Sequence, residues 1–348
     1  MNLFLQRVLN RMWPRSIAAA ASRTRIISPG VVQPTKPAFA LPGEFDAVID
    51  VVNGDRQREW KRIIGADLSH LPTIEYVLDS AKLSGIYLSS GRHLARFPTS
   101  RPCQPREGSE TVCLEKAVLS TNVLSGLEFG HWVRDSLVTE IHGLKQSMPA
   151  VALAREAWPH EPGFRHLTGL ICDYPQICRV AHLTVLDDRG HNAYWQDRFR
   201  LLRERTRALH TGLSSERAEQ MIFLSRGPHA RAREPGNIIE VQAALEAVGF
   251  QTLVPADLSP SEIQGRLRHA KVIVSAEGSN LNHVHFFAPD GVALITLQDP
   301  RRFYSYHSEL VALYGGRFGF IVGRMDPQSP DRHNIGISDL FRTIDLAS

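Results

Sequence analysis

Apolar residues in the second half of the chain occur in short runs separated by helix-like segments. The runs MIFLS (221–225), QTLVP (251–255), KVIVS (271–275), VALITL (292–297) and FGFIVG (318–323) predict strands. Because these runs do not alternate apolar with polar residues, we expect strands that are covered on both faces, as in a parallel sheet. Helix-like segments lie between the strands, so the pattern predicts a doubly wound α/β domain.

Helix start and stop signals support this alternation. Asn237 can cap a helix over IIEVQAALEAV, and Gly249 supplies its C-terminal stop. The segment 259–262 (SPSE) forms a capping box with proline at the first helical position, before a helix that ends near His269. A further helix is expected over 280–287.

The first half of the chain has a less regular pattern. Candidate strands share short apolar runs between turn residues: FDAVIDVV (45–52), GIYLSS (85–90), AVLSTNVL (117–124), VALA (151–154) and LTVL (183–186). Apolar residues recur at helical spacing over 126–148, and an Arg-rich helix is expected over 193–210.

Positive charge is concentrated at the start of the chain. The net charge is +4, but residues 1–43 contain six basic residues and no acid, and the remainder contains 34 basic and 36 acidic residues. The basic balance therefore does not indicate a nucleic-acid-binding protein. Four prolines in 26–43 predict a linker, so we expect a flexible leader and linker over 1–43, with the folded body beginning at Glu44.

The leader allows three interpretations. Apolar residues on one side of a helix, with Arg7, Arg11 and Arg15 at intervals of four, fit an amphipathic helix on an anionic membrane surface. Acid-free, Arg- and Ser-rich composition also fits an organellar transit peptide, and a disordered tail is the third alternative. The chain contains no run of 18 apolar residues, so we expect no transmembrane helix.

The cysteines do not predict a metal site. Cys103, Cys113, Cys172 and Cys178 form no CxxC pair and have no histidine pair at ligand spacing. We expect reduced thiols, as in a cytosolic protein, with a Cys172–Cys178 disulfide as the alternative.

Two strand ends carry candidate chemistry, because ligands of open α/β sheets bind at the carboxyl ends of strands. The segment SRGPHARAR (225–233) places three arginines and one histidine directly after a strand, which suits either a diphosphate clamp or a solvated basic loop.

The second strand end is SAEGSNLN (275–282). Gly278 lets the backbone approach a ligand, and free N–H groups at the following helix start would face an anion. Glu277 would repel phosphate, so it better suits ribose hydroxyls or a catalytic contact. A capped strand-to-helix turn is the structural alternative.

A third candidate lies in the segment FGHWVRDS (129–136). His131 and Asp135 share a helix face, where such a pair can orient an imidazole or supply a base. A metal site would need a third ligand such as Glu128 or His142, which no spacing demands. The structural alternative is a hydrogen-bonded pair on a helix surface.

Together these motifs, in this order and separation, resemble glycosyltransferase family 61. The resemblance covers about 120–325 and is strongest over 221–298. Its motif residues are matched here by Gly130, His131, Trp132, Asp135, Ser225, Arg226, Arg233, Asn237, Glu277, Gly278, Ser279, Leu281 and Asn282. Two positions depart from the family pattern: Ile238 stands where many members have Glu, and Glu277 where many have His.

The resemblance implies two Rossmann-like domains in a GT-B-like α/β architecture, with the cleft between them. We then expect an acceptor-side α/β domain over 44–215 and a nucleotide-sugar-binding domain over 216–348. It also implies an inverting transferase that moves a sugar from a nucleotide sugar, expected to be UDP-linked, to a glycan or glycolipid acceptor.

The residue roles follow from the same resemblance. Asp135 is the first choice for the base and His131 the second, while Arg226 would stabilise the departing diphosphate without a metal ion or cofactor. The expected donor-binding residues are Arg226, Arg233, Asn237, Glu277, Gly278, Ser279 and Asn282.

The implied setting is the synthesis of cell-surface polysaccharide. We expect a cytoplasmic protein, with peripheral contact to the inner membrane face through residues 1–25. The alternative function is a non-catalytic nucleotide- or glycan-binding relative of the same fold. A phosphotransferase is disfavoured, because the chain has no GxxxxGK[ST] motif and no Asp pair for magnesium.

Overall fold

The computed structural model describes residues 16–101, 103, 108, 110–208, 220–227 and 234–347. Contacts divide the chain into two units. The first unit holds the chain up to Val31 together with Ser69–Thr206, and the second holds Val32–Leu68 together with the chain from Arg207 onward. The chain thus contributes two separate segments to each unit.

Both units contain strands and helices. In chain order the strands are β1 (Arg23–Ser28), β2 (Val31–Pro34), β3 (Asp67–His70), β4 (Thr73–Ser84), β5 (Tyr87–Ser90), β6 (His93–Arg96), β7 (Thr111–Leu119), β8 (Ala150–Val151), β9 (Cys172–Asp173), β10 (Ile177–Asp187), β11 (Gln220–Leu224), β12 (Gln251–Leu253), β13 (Ala270–Ala276), β14 (Ala293–Gln298), β15 (Arg317–Val322), β16 (Arg324–Asp326) and β17 (Ser329–Asn334). The helices are α1 (Arg56–Ile64), α2 (Phe129–His131), α3 (Leu137–Lys145), α4 (Glu161–Thr168), α5 (Ala193–Ala208), α6 (Ile238–Ala247), α7 (Pro260–Leu267), α8 (Leu281–Phe287), α9 (His307–Ala312) and α10 (Ile337–Asp345).

The first unit is built on a mixed sheet in the order β6-β5-β4-β10-β7-β8-β9, with β1 also pairing with β4. Strand β10 is antiparallel to β4 and parallel to β7. Leu78, Leu83, Val180 and Leu183 lie in its core and are almost completely buried. The α/β class is therefore confirmed for this unit, but its mixed sheet does not confirm a Rossmann-like domain.

The second unit contains a parallel sheet in the order β12-β11-β13-β14-β15. The predicted strands are confirmed within one or two residues at each end. The predicted helix stops and starts are also present: α6 ends just before Gly249, whose φ is +95°, and the side chains of Ser259 and Glu262 form the capping box of α7. Phe223, Val274 and Ile295 form part of the core of this sheet.

Residues 16–43 differ from the expected flexible leader and linker. Ile17 is buried in the core of the first unit, and β1 pairs with β4. Phe39 lies in the second unit, where its ring fills the space that a Cβ on Gly319 would need. Residues 1–15 lie outside the described residues.

The segment expected as a strand over 45–52 is not a strand. Its start is a short 3-10 turn over Glu44–Ala47. The buried Glu44 carboxylate accepts hydrogen bonds from Val322 N at 2.6 Å and from Arg324 Nη2 at 2.9 Å. These contacts assign the segment to the second unit rather than to a domain over 44–215. The expected boundary between 215 and 216 lies outside the described residues.

The predicted state of the cysteines is confirmed. Cys103, Cys113, Cys172 and Cys178 are all free thiols, so the alternative disulfide is not formed. Among the residues that the structure describes, no helix combines the length and the apolar character needed to cross a bilayer.

Candidate functional site

The helix that carries His131 and Asp135 is interrupted by a π turn. Helix α2 continues into a π-helical turn over Trp132–Ser136, and α3 follows from Leu137. The Leu137 N–H donates to the carbonyl of Trp132, five residues earlier. A π turn inserts an extra residue into a helix and is frequent at functional sites. Asp135 lies within this turn.

His131 and Asp135 face each other on this helix, as the spacing predicts. His131 Nδ1 lies 2.6 Å from Asp135 Oδ2, and the two side chains are 24% and 31% exposed. The pair is therefore shielded from bulk water on most sides but remains accessible to a small molecule. A hydrogen-bonded pair on an open helix surface, which was the structural alternative for these two residues, would have more exposed side chains.

The neighbouring Arg134 contacts both members of the pair. Its Nη2 lies 3.0 Å from His131 Nε2 and 3.2 Å from Nδ1, and its Nε lies 3.5 Å from Asp135 Oδ1. The Arg134 side chain is almost fully buried. A cation is thus held against the imidazole and the carboxylate at the same time.

These contacts determine the protonation states of the pair. Burial lowers the pKa of His131, and the charge of Arg134 lowers it further, against the opposing effects of Asp135 and Glu128. Burial alone would raise the pKa of Asp135, but His131 and Arg134 bring it below its ordinary value. Near neutral pH the site therefore holds a neutral imidazole beside an ionised carboxylate.

Two further histidines belong to this region, and the sequence analysis missed them. His191 is close enough to Asp135 to contribute to lowering the pKa of that carboxyl. The backbone N–H of His191 donates to His70 Nδ1 at 3.3 Å, and the two rings are stacked with centroids 5.6 Å apart. His191 follows β10 by four residues, so its position after a strand end was the signal that could have identified it.

A buried polar network supports the helix. Ser136 Oγ donates to the Ser120 carbonyl at 2.7 Å, and Ser120 Oγ donates to Glu140 Oε1 at 2.6 Å. Glu140 also forms a buried ion pair with Arg165. These bonds anchor the end of the π turn and the α3 helix that follows it, and so help to hold the His131–Asp135 pair in place.

In the second unit, Arg226 follows β11 and lies against the β13–α8 loop. Its Nη1 is 3.4 Å from the Glu277 carbonyl oxygen, which is a long hydrogen bond. A Cβ built on Gly278 would lie 3.0–3.2 Å from three atoms of the Arg226 guanidinium group. The arginine therefore occupies the space that the missing side chain of Gly278 leaves.

Glu277 is paired with an arginine that the sequence analysis did not select. Its carboxylate is buried and accepts a hydrogen bond from Arg302 Nη1. Arg302 lies on the loop after β14, again following a strand end. The negative charge that led us to expect repulsion of phosphate is therefore neutralised within the structure.

The rest of the loop is fixed by amide side chains. Ser275 Oγ donates to the Leu224 carbonyl at 2.7 Å, Asn280 Nδ2 donates to Ser275 Oγ at 3.0 Å, and Asn282 Nδ2 donates to the Ser279 carbonyl at 2.9 Å. The Oδ1 atoms of Asn280 and Asn282 are buried without a hydrogen-bond partner in the described structure. The buried side-chain atoms of this loop that lack a hydrogen-bond partner are thus two amide oxygens, which are hydrogen-bond acceptors.

The N–H groups at the start of α8 are not free, contrary to the expectation of an anion site there. Those of Leu281, Asn282 and His283 donate to the carbonyls of Gly278, Ser279 and Asn280, respectively. Asn280 is the N-cap residue, but its side chain makes no capping bond.

The two remaining predicted donor-binding residues have different outcomes. Arg233 lies outside the described residues. Asn237 precedes α6 but does not cap it through its side chain. Its amide instead makes bonds of 2.9 Å with both the carbonyl and the N–H of Ile335, so the side chain holds two backbone segments together.

A comparison with protein families extends these observations. The family model described as Glycosyltransferase 61 matches residues 129–295. The matched region begins at the helix of His131 and Asp135 and includes Arg226 and the β13–α8 loop. No curated protein matches the chain.

Proposed function

Because the chain belongs to glycosyltransferase family 61, we propose that this glycosyltransferase is an inverting enzyme that uses a nucleotide sugar, expected to be UDP-linked, as its donor. The acceptor would be a hydroxyl group of a glycan or glycolipid. The observation that carries the proposal is the family match over residues 129–295, which includes the His131–Asp135 pair, Arg226 and the β13–α8 loop.

In the proposed reaction the acceptor oxygen attacks the anomeric carbon. The bond from that carbon to the nucleoside diphosphate breaks on the opposite face, so the configuration inverts. The acceptor proton passes to His131 Nε2, and the diphosphate leaves with the bonding electrons. Asp135 stabilises the imidazolium that forms, as a carboxylate does in other His-Asp pairs.

The pair therefore acts as one base, with His131 as the proton acceptor and Asp135 as its partner. A base works best when its pKa lies near the working pH, and the lowered pKa of Asp135 makes that carboxylate a weak base. Asp135 accepts from Nδ1, which leaves the lone pair of His131 on Nε2. The incoming hydroxyl would replace Arg134 Nη2 beside that atom.

We propose that the second unit binds the donor. Arg226 would stabilise charge on the departing diphosphate, without a metal ion or cofactor. The unpaired amide oxygens of Asn280 and Asn282 suit hydroxyl or N–H donors of the sugar or base. Glu277, Gly278 and Ser279 would shape this loop, and Arg233 remains a predicted contact.

The architecture, biological role and location of the enzyme are also proposals. We propose a GT-B-like architecture and a role in cell-surface polysaccharide synthesis. The enzyme would be cytoplasmic, with residues 1–25 contacting the inner membrane face.

A donor-binding and transfer assay tests the proposed function. The melting temperature of the full chain would be measured with UDP, GDP, CMP and UDP-sugars, with and without EDTA, because a ligand of the native state raises it. We expect one nucleoside diphosphate to raise the melting temperature. This effect should persist in EDTA and should be lost in Arg226→Ala. Arg342→Ala is the control, since Arg342 is exposed and pairs with Asp339.

Two results would overturn the proposal. If the wild type binds none of the nucleotides tested, the proposed class of donor is rejected. Binding without release of sugar from any UDP-sugar, to acceptor or water, would favour the non-catalytic relative.

A further inference from the structure

We propose that Arg302 is a second diphosphate-binding residue of the donor site, oriented by Glu277 and acting together with Arg226. The inference rests on the proposed function, because it names the part of the donor that this arginine contacts. Arg302 is not among the motif residues that carry the family resemblance.

The topology brings these residues to one edge of the sheet. Strands β11, β13 and β14 are neighbours and run parallel. Arg226 follows β11, Glu277 follows β13 and Arg302 follows β14. Ligands of open parallel sheets bind at the carboxyl ends of the strands, and all three residues are delivered to that edge.

Glu277 joins the two arginines. Its carboxylate accepts from Arg302 Nη1, and its backbone carbonyl accepts from Arg226 Nη1. The Glu277 side chain is 8% exposed, whereas that of Arg302 is 28% exposed. The carboxylate is therefore the fixed, buried partner, and the guanidinium group is the part that solvent and ligands can reach.

The hydrogen-bonding capacity of Arg302 is only partly used. Among the described residues, Glu277 is the single partner of its guanidinium group, through Nη1. The edge formed by Nε and Nη2 offers two parallel N–H groups, which is the geometry that binds two oxygens of a phosphate. A guanidinium group held at one end and open at the other is preorganised for such a contact.

Charge supports the same assignment. Arg226, Arg302 and Glu277 together carry one net positive charge, because they are two guanidinium groups and one carboxylate. A diphosphate thus meets two guanidinium groups and one carboxylate whose charge is already compensated.

The preceding residue, Arg301, provides a matched control. Its Nε pairs with Asp299 at 3.3 Å, and its Nη2 donates to the Asp331 carbonyl at 2.8 Å. Arg301 and Arg302 carry the same charge on the same loop, but Arg301 binds acidic residues of its own surroundings. Replacing either arginine by alanine changes the net charge by the same amount. A comparison of the two variants therefore distinguishes a direct contact with the ligand from a general electrostatic effect.

The test measures the affinity of the full chain for UDP, GDP, inorganic pyrophosphate and uridine by titration calorimetry. We expect Arg302→Ala and Arg302→Gln to weaken UDP or GDP and pyrophosphate binding by about tenfold or more, since each removes a charge-assisted contact. Any binding of uridine should stay unchanged, because uridine has no phosphate. Arg301→Ala should bind within about twofold of the wild type.

The outcomes separate the two proposals. Equal affinities of the Arg302 and Arg301 variants overturn the assignment of Arg302. Failure of the wild type to bind any of the phosphate-bearing probes overturns the proposed function, and this inference with it. The Gln variant keeps a side chain that can still bond to Glu277, so the test stands even if the Ala variant unfolds.

Discussion

His131 Nδ1 lies 2.6 Å from Asp135 Oδ2 across one turn of a π-containing helix. An ionised carboxylate only accepts hydrogen bonds, so the ring proton lies on Nδ1 and the lone pair on Nε2. Arg134 lies against both ring nitrogens and opposes protonation of the ring. One short contact and one adjacent cation thus define the tautomer and the charge of His131.

The first prediction concerns that tautomer. In Asp135→Asn the amide can donate to Nδ1, which moves the ring proton to Nε2 and removes the base. We expect kcat to fall by roughly 10²–10⁴-fold, with a similar loss in His131→Ala. Steady-state transfer kinetics measure this effect.

The control for this prediction is the exposed Asp339, whose change to Asn should leave kcat unaltered. Donor affinity should be the same in Asp135→Asn and in the wild type. Full turnover in Asp135→Asn would show that the carboxylate does not set the state of the base.

The second prediction concerns the pH dependence of activity. Catalysis needs neutral His131, so the acidic limb of kcat/KM follows the pKa of that imidazole. Burial and then Arg134 hold this pKa below its ordinary value. Arg134→Gln should therefore move the acidic limb to higher pH, because one of the two lowering effects is lost.

Arg134→Lys is the matched variant, since it keeps the positive charge and should keep the acidic limb close to that of the wild type. A pH–rate profile of the three proteins gives the comparison. If the limb stays in place in Arg134→Gln, the charge of Arg134 does not tune the base.

The third prediction concerns Gly278. A Cβ at this position would lie 3.0–3.2 Å from the guanidinium group of Arg226, the end of a flexible side chain, so the arginine must move. Gly278→Ala should weaken nucleotide binding about tenfold while the melting temperature changes little. Gly265→Ala is the control, because a Cβ there meets nothing within 4 Å and should leave binding unaltered.

Calorimetric titration with the nucleotide that stabilises the wild type measures both variants. Unchanged affinity in Gly278→Ala would mean that the position of Arg226 against this glycine is not needed for binding.

The sequence predicts the second unit better than the first for a physical reason. Strands β11, β13 and β14 are covered on both faces, so each is a continuous apolar run that stands out in the sequence. Strand β4 instead mixes buried and exposed positions over 12 residues, so it does not stand out in the sequence as a strand. The run over 45–52 is apolar because Phe45, Val48 and Val51 are buried within the second unit, not because it forms a strand.

The candidate site likewise contains residues that the sequence predicts and residues that it does not. The His131–Asp135 pair follows from local spacing along a helix, so a separation of four positions was enough to predict it. Arg302 and His191 reach their places through strand connections, and no local spacing relates Arg302 to Glu277. Asn237 shows how local sequence can mislead. Its position before α6 suggests a helix cap, but its side chain bonds to Ile335, 98 residues away.

The last prediction is an acid-sensitive stability that arises from His142 on α3. The side chain is fully buried, and its Nδ1 lies 2.8 Å from the Tyr194 hydroxyl. Burial, followed by the charges of Arg198 and Arg25, lowers the pKa of His142 from 6.5 to about 4. The unfolded chain therefore binds a proton at a higher pH than the folded chain does. Stability from this residue is complete above pH 6.5 and is lost as the pH falls toward 4.

Urea unfolding of the wild type and of His142→Gln at pH 7 and pH 5 tests this sign. Between these pH values the free energy of unfolding should fall by about 2 kcal/mol more in the wild type than in the variant. His166→Gln, at an exposed position on α4, should retain the wild-type pH dependence. The same pH dependence in His142→Gln and the wild type would show that the buried imidazole does not limit stability in acid, since the titrating group would then lie elsewhere.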